Sequence, residues 1–292
     1  MNNQFNKGLI LASFGSFWWG FFGVLYFKYI SFIGPLELVI HRCLWTVLTL
    51  VITTFYFSKW DIFFRTINSK KNLFGLFISG FLIFINWGVW IYAVATNRII
   101  DASFGYFIMP ILSVFLGFIF FKEKLNKKRI FSISLVILSI IFLLIANIKS
   151  LPWVGIIVGL SWGFYNLVRK KINVDTDIGL LIESLFILPF AIIIFYFIVI
   201  NNFNDFSLSN INLMLIILLA GPMTVIPLFL YVKGVEFSGL GPTGMIFYIT
   251  PTLQFILGFF YYNEDFSLSK FVSFIFIWIA VVIYLKDLYE TN

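Results

Sequence analysis

Runs of about twenty apolar residues, separated by short polar stretches rich in Lys and Arg, fill the chain from end to end. At 1.5 Å of rise per residue, a helix needs about 20 such residues to cross the hydrocarbon core of a bilayer. Ten segments meet that length: 8–27, 35–57, 73–95, 101–121, 130–147, 152–168, 178–200, 212–232, 242–262 and 271–286. Barrel strands are excluded, being about 10 residues long with alternating polarity. The longest connection, 58–72, has the length of a turn, a short helix and a turn, which leaves no room for a soluble domain. The first segment is too long for a signal-peptide core and lacks a small-residue cleavage site, so it reads as a retained helix. The pattern predicts an all-α integral membrane protein with ten transmembrane helices.

Composition sharpens this. Hydrophobic residues make up 61% of the 292 positions and charged residues 11%, against about 25% charged in a soluble domain. A mean hydropathy of +1.01 makes the outer surface apolar as well, and the 40 phenylalanines then read as lipid-facing filler. A net charge of +7 would suggest nucleic acid if it clustered on a soluble face. It lies instead in the connections. Lys7, Lys59, Arg65, Lys70, Lys71, the five basic residues from Lys122 to Arg129, Arg169 to Lys171, Lys233 and Lys286 make fifteen on one side. Lys28, Arg98, Lys149 and Lys270 make four on the other, and Arg42 lies inside the second segment. The positive-inside rule places both termini in the cytoplasm. The single cysteine, Cys43, excludes an intrachain disulfide and a multi-cysteine metal site.

The chain also repeats. Pro110, Gly117, Phe118 and Glu123 return 141 residues later as Pro251, Gly258, Phe259 and Glu264. Ala12, Ser16 and Gly20, one small residue every fourth position, return 143 residues later as Gly155, Gly159 and Gly163. The dipeptide Trp19-Gly20 returns with them as Trp162-Gly163. Two halves follow, 1–148 and 149–292, each of five helices. Five is odd, so the second half enters from the opposite face, the inverted-repeat plan of many secondary transporters. The small-residue stripes read as helix-packing faces rather than solute contacts.

Charges inside the membrane each need a reason, because burying one there costs several kcal/mol. The second segment holds Glu37, His41 and Arg42; the seventh holds Glu183. Glu37 and His41 share a helical face at i, i+4 spacing. Glu37 can also simply sit among headgroups and complement the helix dipole. His41 can satisfy a backbone carbonyl, and Arg42 can snorkel or pair with Glu37. Glu183 has no such neighbour. At an offset of 142, His41 and Glu183 occupy equivalent positions, about 9 Å and about 8 Å in from opposite faces. They are expected to line or gate opposite halves of one pathway without touching, and a titrating pair of this kind permits proton coupling.

Pro110 and Pro251 are expected to kink their helices and free the carbonyls of Tyr106 and Phe247. Around them Asn86, Trp90, Tyr106, Tyr165, Asn166, Tyr248 and Gln254 supply aromatic faces and hydrogen-bonding groups for a small amphipathic solute. Enzyme motifs are missing: there is no HExxH, P-loop or G-x-S-x-G. No cofactor and no metal site are expected.

Several stretches together resemble the RarD-like branch of the EamA family in the drug/metabolite transporter superfamily. They are His41-Arg42, Asn86-Trp87, the run Ala102 to Ile108 before Pro110, Leu167 to Ile172, Ile182-Glu183 and Pro251-Thr252-Leu253. The sequence departs from that pattern at Asp101, where Glu is expected, and at Met109, where Asn is expected; the second change removes an amide from the cavity. The resemblance implies a small-metabolite or drug carrier of the bacterial inner membrane, with export favoured. The expected function is therefore a secondary transporter working by alternating access, with a lipid flippase or membrane-embedded enzyme as the alternative. Its expected partners are a small-molecule solute and the lipid bilayer, with no nucleic acid; a homodimer is left open. Helices 1–4 and 6–9 of the ten would enclose the path, with 5 and 10 outside.

Overall fold

The ten apolar segments are largely helical over their described residues in a computed structural model that describes residues 3–146, 153–172, 174–206, 210–263 and 268–291. In chain order the helices are α1 (Asn3–Tyr29), α2 (Pro35–Tyr56), a short α3 (Trp60–Ile67), α4 (Lys70–Ala95), α5 (Ile99–Phe121), α6 (Lys127–Ala146), α7 (Trp153–Lys171), α8 (Thr176–Ile200), α9 (Ile211–Ser238), α10 (Leu240–Tyr261) and α11 (Leu268–Thr291). Seven of these, α1, α2, α4, α5, α8, α9 and α10, are long and apolar enough to cross a membrane. The short α3 fills the connection expected to hold one helical turn or two. Glu264, one member of the repeat, and Lys149 lie outside the described residues.

The surface is apolar, as a lipid solvent requires. Phe14, Phe55 and Phe260 are 64%, 76% and 72% exposed, and many other large apolar side chains face outward with them. In water such continuous apolar surface would be an aggregation site.

Packing follows small residues. α1 lies along α9 and α10, α7 along α4 and α5, α2 along α8 and α9, α4 along α8, α5 along α10, and α6 along α11. Gly105 in α5 meets the backbone of Gly155 in α7 so closely that a Cβ would collide with the Gly155 carbonyl. Gly20 faces Leu253 and the Thr250 carbonyl, each 2.9 Å from where its Cβ would stand, and Gly163 faces Leu112. Where helices have no hydrophobic drive to separate from lipid, this close approach is what gives them van der Waals cohesion.

Several contacts come in reciprocal pairs. Ser132 donates to the Ala280 carbonyl at 2.5 Å while Ser139 donates to the Ser273 carbonyl at 2.8 Å. Shifting the first pair by 141 residues and exchanging its members gives the second. The Tyr248 hydroxyl donates to the Phe107 carbonyl at 3.0 Å, and the two rings stack at 5.8 Å; these residues are themselves 141 apart.

The two prolines act differently. Pro110 sits inside an unbroken α5. Near Pro251, α10 is interrupted at Phe247 and Tyr248, between stretches Leu240–Ile246 and Ile249–Ile256. The Phe247 carbonyl, expected to be free, instead accepts the Thr250 N–H at 2.9 Å, so a tighter i+3 bond replaces the one that proline cannot make. α1 carries a π turn at Trp19–Gly23, and α10 ends in another at Leu257–Tyr261.

Gly105→Ala is expected to lower stability by about 1–3 kcal/mol through overpacking, read by thermal unfolding in detergent. Gly88, whose Cβ would meet nothing within 4 Å, is the control. Gly88→Ala is expected to be neutral or to stabilise by up to about 1 kcal/mol. Equal effects at the two sites would contradict the packing described.

Candidate functional site

The polar side chains inside the bundle fall into three groups along its length. At one end, beside the 30–34 and 201–206 loops, the Glu37 carboxylate accepts the backbone N–H groups of Asp205 and Phe206 at 2.8 and 2.9 Å. His41 Nε2 lies 3.5 Å from the same carboxylate, and the imidazole packs against Phe195 and Phe206. Gly34 N–H donates to the Asp205 carboxylate at 3.2 Å. Glu37 is 2% exposed. It is therefore not a headgroup residue but the anchor that seats the α8–α9 loop, and Arg42 does not pair with it.

At the opposite end Glu183, 1% exposed, accepts hydrogen bonds from Ser79 and from Tyr165, the latter at 3.2 Å. Its other partner is Arg169, whose Nε lies 3.5 Å away. Arg169 was counted among connection charges on sequence, but α7 runs on to Lys171 and carries it into the interior, where it is 5% exposed. Around this cluster Lys59 bridges Asp177 at 2.7 Å and Asp175 at 3.5 Å. Thr176 donates to Glu236. Glu123 accepts the Leu240 and Gly241 N–H groups at 2.8 Å each, capping the start of α10. His41 and Glu183 belong to separate clusters.

Between the ends lies a small chamber lined by Trp19, Arg42, Asn86, Trp87, Trp90, Tyr106, Trp162, Phe247, Thr250 and Gln254. These come from α1, α2, α4, α5, α7 and α10, and neither α6 nor α11 contributes. Its volume is about 20 Å³, enough for about one water. Aromatic rings close it: Trp19 meets Trp162 edge-on at 5.0 Å, and Tyr106 meets Phe247 edge-on at 5.3 Å. Arg42 is 3% exposed. Its Nε donates to Thr224 at 2.9 Å, and its guanidinium carbon lies 4.9, 4.6 and 5.8 Å from the ring centres of Phe27, Trp87 and Trp90. The planar cation is thereby held against π faces. Among the described residues it forms no ion pair with a carboxylate.

Of the sequence candidates, Arg42, Asn86, Trp90, Tyr106 and Gln254 thus meet at one chamber. Asn86 is already committed, donating to the Val158 carbonyl and to Ser161 at 3.0 and 3.1 Å. Tyr165 lies behind the wall, stacked on Trp162 at 5.2 Å, and Asn166 donates locally to the Trp162 carbonyl. Tyr248 points away from the chamber to Phe107. Pro110 and Pro251 do not line it. The residues missed on sequence are Trp19, Trp87, Trp162, Phe247 and Thr250 in the chamber wall, and Thr224, Ser79, Arg169 and Glu123 around it. Trp19 and Trp162 had been seen only as repeated markers, although a large aromatic beside a packing glycine was the available signal.

The sequence profile of the EamA-like transporter family matches residues 6–145 and 150–286. An uncharacterized transporter of Vibrio cholerae is 33% identical over 96% of this chain and 92% of its own. Uncharacterized transporter YojE of Bacillus subtilis is 33% identical over 95% and 93%, and protein RarD of Escherichia coli 32% identical over 99% and 97%. A solved crystal structure superposes with a TM-score of 0.66 over 94% of this chain and 96% of that one, at 12% identity, which shows the shared fold. The chain belongs to the EamA-like transporter family, on its RarD-like branch, and is a multi-pass membrane transporter.

Glu183→Gln leaves Arg169 buried without its counter-charge. Breaking a buried pair from one side costs about 3–5 kcal/mol, so unfolding in detergent is expected to begin well below wild type. Glu183→Leu combined with Arg169→Met, which removes both charges, is expected to recover most of that loss. A Glu183→Gln protein as stable as wild type would show that the pair carries no such load.

Proposed function

We propose that this protein is a secondary carrier of ten transmembrane helices that moves a small metabolite across the inner membrane by alternating access. The single observation that carries the reading is a buried central chamber lined from both halves of the chain, with hydrogen-bonded ties between helices on either side of it. A pathway open at neither end around a central pocket is the occluded step that alternating access requires. Glu37 with its loop closes one end; Lys59, Glu123 and the Glu183 cluster close the other.

The halves 1–148 and 149–292 are read as inverted repeats. Each main packing pair has its counterpart when first-half and second-half helices are exchanged: α1 with α9 answers to α7 with α4, and α1 with α10 to α7 with α5. The reciprocal serine bonds of α6 and α11 agree, and the family profile divides the chain at the same place. Rocking one half against the other about the chamber would open each end in turn. Both termini are assigned to the cytoplasm from the Lys and Arg distribution. The driving force is a solute or proton gradient, with His41 and Glu183 as the membrane-embedded candidates for the pathway; export is the favoured direction.

A lipid flippase is the second reading. A lateral groove of about 630 Å³ runs along α1, α10 and α11, lined by residues such as Leu9, Phe17, Leu253 and Trp278. It suits an acyl chain, yet no charged residue stands among its described lining to hold a headgroup, and the carrier reading is preferred.

Reconstituted protein, given labelled amino acids, amines, small monocarboxylates and chloramphenicol with and without a pH gradient, is expected to show saturable flux of at least one solute. Flux that follows the imposed pH gradient supports proton coupling. No saturable flux across the panel would sink the carrier reading, and transfer of labelled lipid between leaflets of the same vesicles would favour the flippase.

A further inference from the structure

We infer that the central chamber recognises a small organic monocarboxylate, with Arg42 as the counter-charge and the surrounding indoles and Gln254 as further donors. This rests on the carrier reading above and names the solute class for its chamber.

Charge comes first. A guanidinium cannot shed its proton at accessible pH, and burying an uncompensated cation in a bilayer costs several kcal/mol. The other buried charges of the bundle meet that cost with partners: Glu183 has Arg169, Ser79 and Tyr165, and Glu37 has His41 and two backbone N–H groups. Arg42 has one threonine and three rings, and its Nη1 is buried with no hydrogen-bond partner. No carboxylate lines the chamber among the described residues.

Hydrogen-bond polarity points the same way. Beyond Arg42 Nη1, the buried chamber atoms without a partner are the Nε1 of Trp87, Trp90 and Trp162 and both amide atoms of Gln254. An indole N–H only donates. Among these fully buried atoms five are donors and one, the Gln254 carbonyl, is an acceptor, while the Asn86 carboxamide oxygen and the Tyr106 hydroxyl on the same wall add two groups able to accept. Buried polar groups left unpaired are costly, so the molecule that relieves them must bring acceptors. A carboxylate brings two oxygens with about four acceptor sites and takes an Arg in planar geometry. One fixed positive charge balances a monoanion better than a phosphate dianion. The indole and phenyl walls suit an apolar body, and because the chamber as it stands has room for about one water, its aromatic walls must part to admit such a body. An ammonium group would find the amide oxygens of Asn86 and Gln254 and the π faces, but beside the like charge of Arg42, so an amine is disfavoured and a zwitterion is intermediate.

Three probes with the same phenyl body separate these cases: 3-phenylpropanoate, phenylalanine and phenethylamine. Purified full-length protein is titrated with each while tryptophan fluorescence is followed, since four of the chamber walls are indoles. Saturable quenching is expected for 3-phenylpropanoate, weaker quenching for phenylalanine, and none for phenethylamine. Arg42→Gln is expected to raise the half-saturating concentration of 3-phenylpropanoate by about ten- to hundredfold, the range of a charge-assisted bond, while Arg42→Lys recovers part of it. Far-ultraviolet circular dichroism and gel filtration show whether each variant is folded, and the order of the probes on wild type needs no variant. Preference for phenethylamine, equal response to all three, or no response to any overturns the assignment. In vesicles, flux of amines or neutral solutes that 3-phenylpropanoate does not inhibit overturns the assignment while the carrier stands. Quenching by 3-phenylpropanoate without flux of any solute supports the anion site while the carrier reading falls.

Discussion

A bilayer offers no water to a buried charge, and the arrangement of this bundle follows from how each one is neutralised. In hydrocarbon, an ionised group must find its partner within the protein or open a path for solvent. Glu37 and Glu183 do so by tying together parts of the chain far apart in sequence, and the half-buried Glu123 makes a similar tie from the connection after α5. Glu37 in α2 holds the loop before α9, Glu183 in α8 holds α7 and α4, and Glu123 after α5 holds the start of α10. These ties lie at the two ends of the bundle. The same requirement that makes them stabilising makes them closures, because the bond that satisfies the charge also seals the gap between helices. Arg42, midway between them, is left with π faces and a hydroxyl, and its deficit falls where a solute would sit.

The second constraint is close approach. Lipid is as apolar as the helix surface, so cohesion depends on contact at short range rather than on expulsion of water. Gly105 against Gly155, and Gly20 and Gly163 against equivalent leucines, bring α5, α7, α1 and α10 together around the chamber. Large rings then fill what the glycines leave open. Trp19 and Trp162 each precede a packing glycine, so the residue that lets two helices meet also aims its neighbour's indole at the centre. The π turn at Trp19–Gly23 and the break at Phe247 and Tyr248 place irregular backbone beside this chamber, where such backbone is tolerated in membrane proteins.

The helices themselves were legible because apolar length and basic connections are local properties. His41 and Glu183 stand near the starts of α2 and α8, so their assignment to different clusters follows from which connections those helices leave. What sequence concealed was pairing. Glu37 looked like a headgroup residue because it stands in the first turn of α2, yet its partners arrive from a loop 168 and 169 positions away. Arg169 looked like a topology charge because it adjoins Lys170 and Lys171, yet an extra turn of α7 takes it to Glu183. Tyr248 and Tyr165 looked like pocket residues because their type suits one, but helix rotation, which periodicity could not fix, turns them to Phe107 and Glu183. Met109, where an amide of the cavity is expected from the resemblance, is not part of the chamber lining, and the unmet amide there is that of Gln254.

The central claim is that one chamber is reached from each face in turn. With Cys43 changed to Ala, Thr250→Cys places a single thiol on the chamber wall, and a membrane-impermeant maleimide is applied to right-side-out and inverted vesicles. Labelling is predicted from both faces. A disulfide joining Cys at positions 34 and 205, measured with the Thr250→Cys thiol protected during oxidation, is predicted to abolish labelling from the face that carries those loops and preserve it from the other. Labelling from one face only, or labelling from both faces that the crosslink leaves unchanged, would contradict the account.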